Sequence, residues 1–82
     1  MNKSEVKQRV ITVIETTWDW FSEDLDGNDT FDEMGADSLD QAELIMELEK
    51  EFSIQVKDDE AEGVKNIEDV VNEVCKILGV EM

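Results

Sequence analysis

Ser38 is the side chain in this sequence best placed to carry a covalent group. It follows a turn of small residues, Gly35-Ala36, and stands directly after Asp37. A run with helical spacing begins at this point, so the hydroxyl sits at the mouth of a helix. The first backbone N–H groups of a helix lack intrahelical partners, and together with the helix dipole they favour an anion. A phosphodiester on Ser38 would suit that position. On local chemistry alone, a capping serine with no other role is the simpler reading, because Ser is a frequent cap.

The other reactive residue types are sparse. The 82 residues include no histidine, which excludes Ser-His-Asp and Cys-His pairs and argues against a structural zinc site. No enzyme is expected. Cys75 is the single cysteine and cannot form an internal disulfide. It lies beside an apolar stripe and reads as a small buried hydrophobe.

Residues 22–33 come close to an EF-hand calcium loop. Oxygen ligands could come from Ser22, Asp24, Asp26, Thr30 and Glu33, with Gly27 at the turn. Three features oppose it. Ser22 takes the first ligand position, where Asp is usual, and Asp29 takes the eighth, which is usually apolar. Met34-Gly35-Ala36 stands where the exit helix should begin. No specific metal site is expected, although Asp24, Asp26 and Glu33 could hold a divalent cation loosely.

Three helices are needed to position Ser38. About residues 3–18 carry Val6, Val10, Val13, Ile14 and Thr17 as one stripe, with Asn2 and Glu5 resembling a capping box. A polar loop follows, and its apolar Phe31 should pack back onto the core. The second helix covers about residues 38–52, with Asp37 as N-cap and Asp40 in the first turn. Residues 53–57 read as a connection anchored by Ile54 and Val56, and residues 58–62 as a single helical turn. Asn66 caps the last helix, whose stripe is Ile67, Val70, Val71, Val74, Ile77 and Leu78, and Gly79 ends it. The pattern predicts one all-α domain over residues 1–82, a small bundle. Of Trp18 and Trp20, one is expected in the core.

The second helix has two apolar faces. Leu44, Ile45, Leu48 and Phe52 share one side with Gln41, and this is the core face. Leu39, Ala42 and Met46 fall opposite, rimmed by Asp40, Glu43, Glu47 and Glu49. A surface helix needs only one apolar face. A second one with an acidic rim and a pliable methionine at its centre fits a docking strip. A helix covered on both sides would show the same pattern.

Composition sets the range of partners. Asp plus Glu number 23 against 7 Lys plus Arg, a net charge of −16. Such a chain repels nucleic-acid phosphates and anionic membranes, and it is steered towards basic protein surfaces. No stretch is long and apolar enough for a membrane span, and the N-terminus has no apolar h-region. The expectation is a cytoplasmic monomer.

Phe31 through Phe52 closely resembles the acyl carrier protein family, whose hallmark is Asp-Ser-Leu after a small-residue turn. That motif is here Asp37-Ser38-Leu39, and the likeness continues through Asp40, Glu43-Leu44, Met46, Leu48-Glu49 and Glu51-Phe52. The resemblance implies a four-helix bundle with three long helices and one short third helix. It implies a 4′-phosphopantetheine arm on Ser38, attached by a phosphopantetheinyl transferase and holding acyl groups as thioesters. It also implies that Asp37, Leu39, Asp40, Glu43, Met46 and Glu49 face basic patches on acyl-handling enzymes, with Glu47 of the acidic rim expected beside them, and that the bundle interior can shelter the cargo. Fatty-acid biosynthesis, or a related lipid or polyketide pathway, is the implied setting. Lys50, Ala42, Lys57 and the aromatic Trp18-Trp20-Phe21 group depart from common fatty-acid carriers. The alternative is an unmodified acidic binding module, responsive to calcium through residues 22–33.

Overall fold

The computed structural model describes residues 1–21 and 29–80. Among the described residues five helices follow one another: α1 (Lys3–Thr17), α2 (Phe31–Met34), α3 (Ser38–Phe52), α4 (Asp58–Glu62) and α5 (Ile67–Leu78). Among the described residues there is no strand, only an isolated antiparallel bridge between Thr30 and Asn66. The all-α bundle expected from the sequence is what forms. The short α2 is an addition, because the sequence reading took those residues as loop.

Each long helix starts where a side chain satisfies its free N–H groups. Asn2 Oδ1 accepts from the Glu5 N–H at 2.9 Å, which is the Asn2 half of the expected box. Asn66 Oδ1 accepts from the Asp69 N–H at 2.8 Å. α2 owes its four residues to a complete capping box. The Thr30 hydroxyl accepts from the Glu33 N–H, and the Glu33 carboxylate accepts from the Thr30 N–H. Gly35 then ends α2 at φ 100°, a backbone region that residues with a Cβ seldom enter.

The stripes bury as their spacing requires. Val6, Val10, Val13 and Ile14 of α1, Leu44, Leu48 and Phe52 of α3, and Ile67, Val70, Val71 and Val74 of α5 make one core, with Phe31 as its cover. α1 is the central contact, packed on both α3 and α5. Fully burying a Val, Leu or Ile contributes about 1.5–3 kcal/mol, so these three helices hold the molecule together. α4 buries none of its own residues. It is anchored through Val64, which follows it and is buried. Ile77 is half-buried and Leu78 exposed, so the last-helix stripe stops one turn earlier than its pattern suggests.

Candidate functional site

Ser38 is the first residue of α3 and is exposed. The turn before it is braced from several directions. Asp37 and Asp40 form a full capping box. Asp37 Oδ1 accepts from the Asp40 N–H at 2.9 Å, and Asp40 Oδ2 accepts from the Asp37 N–H at 3.2 Å. The Gln41 amide donates to Asp32 Oδ1 at 2.9 Å and to the Ala36 carbonyl at 3.1 Å. The Ala36 N–H donates to the Phe31 carbonyl at 2.9 Å. Two first-turn donors, the N–H groups of Ser38 and Leu39, lie outside this network. An exposed hydroxyl beside open N–H groups fits a phosphodiester.

The sequence reading did not anticipate the part played by Trp18. Its ring is 2% exposed, and its indole N–H donates to the Asp40 carbonyl at 3.1 Å. It meets Phe31 edge to face at 5.3 Å and stacks on Trp20 at 5.1 Å. The end of α1 thereby props the first turn of α3. One tryptophan inside was the expectation, and Trp18 is that one, because it lies four residues after Ile14 on the α1 stripe. Trp20 remains 44% exposed.

The second apolar strip of α3 is uncovered. Leu39 is 67% and Met46 53% exposed, and Ala42, Glu43 and Glu47 are exposed with them. A shallow groove between Thr16, Thr17, Glu43, Met46 and Glu47 continues the strip towards α1. The acidic rim is not uniformly free. Glu47 lies 3.4 Å from Lys50, and the half-buried Glu49 accepts from the Val56 N–H at 2.8 Å. Glu49 therefore ties α3 to the following connection.

The rival calcium loop falls mainly outside the described residues, Asp24 and Asp26 included. Its described ligands are otherwise occupied, since Glu33 Oε1 accepts from both the N–H and the hydroxyl of Thr30. Among the described residues no group of three or more acidic, histidine or cysteine side chains is arranged to hold a metal. Cys75 is fully buried, and burial pushes its thiol pKa up. It is packing, as the sequence suggested.

Comparison with known proteins agrees with this geometry. The profile of the family described as phosphopantetheine attachment site matches residues 8–74. An acyl carrier protein of Chloroherpeton thalassium is 41% identical over 77 residues, which is 93% of this chain and 96% of the relative. One from Clostridium acetobutylicum is 61% identical over 41 residues, 50% of this chain and 53% of the relative. Among solved structures, the acyl carrier protein of Thermotoga maritima superposes with a TM-score of 0.81 at 26% identity, covering 96% of this chain and 93% of that one. The acyl carrier protein of Enterococcus faecalis superposes at 0.74 with 27% identity, covering 94% and 99%. Fold and profile define a class, the phosphopantetheine-binding carriers. Within it, the chain belongs to the acyl carrier protein family.

Proposed function

We propose that Ser38 accepts a 4′-phosphopantetheine group from coenzyme A through a separate transferase, and that the chain carries acyl groups for fatty-acid or related lipid or polyketide synthesis. The observation that supports this most is the exposed Ser38 hydroxyl on a braced turn, beside open first-turn N–H groups. The bound group supplies a terminal thiol that holds the acyl chain as a thioester. The protein's own residues hold the attachment point still and present it. Asp37 fixes the turn, while Leu39, Glu43, Met46 and Glu47 offer an apolar centre with an acidic rim to a basic enzyme surface. Asp40 and Glu49 contribute charge from the positions in which their own hydrogen bonds hold them. In this reading the chain is not itself an enzyme and works as a monomer in the cytoplasm.

A second element of the reading concerns the cargo. Ile45, Leu48, Val56, Val64, Val70 and Val74 line an apolar seam between α3, α5 and the connections on either side of α4. Its void is about 10 Å³, roughly one water, so an acyl chain must part the walls to enter. The connections that carry Val56 and Val64 are the walls that yield, because α4 between them buries none of its own residues.

The test is intact-protein mass measurement after incubation with coenzyme A, magnesium and a broad-specificity phosphopantetheinyl transferase, with Ser38→Ala in parallel. The native chain should gain one phosphopantetheinyl group and the variant none. No gain with several transferases would refute the reading and turn attention to an unmodified, calcium-responsive binding module.

A further inference from the structure

Trp20 is a large apolar side chain that the core does not use. It stacks on the buried Trp18 at 5.1 Å with the rings 12° apart, yet it remains 44% exposed. Stacking covers one face of the indole, so the exposure comes from the other face and the rim. An apolar ring left in water forfeits the stability that its burial would contribute. At protein interfaces the same side chain is among those that contribute most to binding.

The contacts between α1 and α3 place this ring at one end of the open strip. Thr16 and Thr17 border the groove beside Glu43, Met46 and Glu47, and Trp18 bonds to Asp40, nearer the start of α3. Trp20, stacked on Trp18, continues that order towards the Ser38 end, where Leu39 is exposed. Trp20, Leu39 and Met46 are three of the five large apolar side chains exposed among the described residues, so the exposure is concentrated rather than scattered. Charge indicates what could cover them. Asp19 and Glu43 are exposed carboxylates, and the net charge of −16 turns a second copy of the chain away. An open indole face near carboxylates favours a cation, and a guanidinium above an ammonium, because its plane can stack while its N–H groups bond to a carboxylate. The chain makes this arrangement once internally. Arg9 lies over the Phe52 ring at 5.3 Å while it donates to Glu51 Oε2 at 2.7 Å.

We propose that Trp20 is a docking anchor for an arginine of a basic partner protein, whose guanidinium stacks on the open indole face while the partner's apolar residues cover Leu39 and Met46. The docking surface then spans two helices, from α3 onto the end of α1, and Trp20 gives it a preference for arginine over lysine. This anchor rests on the docking reading of α3 and does not require a group on Ser38.

The experiment titrates the unmodified full chain calorimetrically, in about 0.15 M salt, with amphipathic helical peptides that share a leucine face and carry arginine, lysine or citrulline on the polar face. The native chain should bind the arginine peptide about three- to fivefold more tightly than the lysine peptide, the scale of one exposed cation–π contact. Trp20→Leu should lose that preference, while Trp20→Phe, which keeps a ring against Trp18, should retain part of it. Glu43→Gln should weaken both cationic peptides alike and leave the preference in place. Unfolding midpoints confirm that each variant is folded. The same arginine preference in Trp20→Leu as in the native chain would overturn the anchor. A citrulline peptide bound as tightly as the arginine one would overturn it in favour of a purely apolar partner, and a Trp20-dependent dimer in sedimentation would overturn it in favour of a second copy. Failure of every cationic peptide to bind would instead overturn the docking reading of α3, and this anchor with it.

Discussion

Trp18 shows how one residue couples the core to the candidate attachment point. Its ring fills core volume, and its N–H reaches the Asp40 carbonyl two residues beyond Ser38. Trp18→Phe keeps an aromatic ring at that place but removes the donor and part of the volume. The expected cost is about 1–2 kcal/mol, read as a lower urea midpoint. Amide exchange at residues 38–40 should quicken more than exchange in α5, because the prop acts on the first turn of α3. An equal increase in both helices would mean that Trp18 contributes only bulk. At this scale the sequence was partly legible. Asp37 as a cap could be read from its type and position. The Gln41 bonds to Asp32 and Ala36 could not, because they depend on how α2 folds back against α3.

The elements were legible wherever a stripe and a cap coincided. α1, α3 and α5 satisfy both conditions, and the spans read from the sequence match the observed ones to within a residue. α2 was missed because four residues are too few to show a period. Its signal was the Thr30-x-x-Glu33 pair, a capping box read at first as two calcium ligands. The unoccupied apolar strip of α3 was legible as an excess of apolar positions, and the structure places Leu39 and Met46 in solvent. The Glu49 tether to Val56 was not legible, since it joins a helix to a connection without a pattern of its own. One helix end is less than optimal. α3 closes on Ser53 at φ 54°, whereas α2 and α5 close on glycine. Ser53 bears a Cβ in the left-handed region, at a cost of about 1 kcal/mol. Ser53→Gly relieves that strain but adds freedom to the unfolded chain, so a net gain of about 0.5 kcal/mol is expected. A raised denaturation midpoint with unchanged Ser38 loading would bear this out. A lowered midpoint would show that the left-handed cap carries no strain.

Across the whole molecule, charge and pH act on stability through two separable routes. The net charge of −16 opposes compaction, and salt or a shift towards the isoelectric point near 4.1 relieves it. Three surface ion pairs among the described residues, Lys3–Glu68, Arg9–Glu51 and Lys50–Glu47, are exposed and offset little of this repulsion. The second route is local. Glu73 holds its proton more tightly in the folded chain than in the unfolded one, chiefly through Glu60 and then through burial. A raised folded pKa contributes stability that is complete below the ordinary glutamate value of 4.5 and is lost as pH climbs through the raised value. Glu60, half-buried like Glu73, is shifted the other way by the same contact, so its contribution is complete above the ordinary value of 4.5 and does not change as pH rises from there. Moving from mild acid to neutral pH should therefore lower the melting temperature by both routes. High salt screens the diffuse repulsion and leaves the carboxyl contact largely intact. Glu73→Gln keeps a neutral side chain at every pH and removes only the local route. In about 0.5 M salt the native chain should still lose stability between pH 5 and 7, and Glu73→Gln should lose distinctly less, so the gap between them changes in the variant's favour as pH rises. Parallel melting curves for the two chains at high salt would mean that the Glu60–Glu73 contact holds no proton, and that diffuse repulsion accounts for the whole pH dependence.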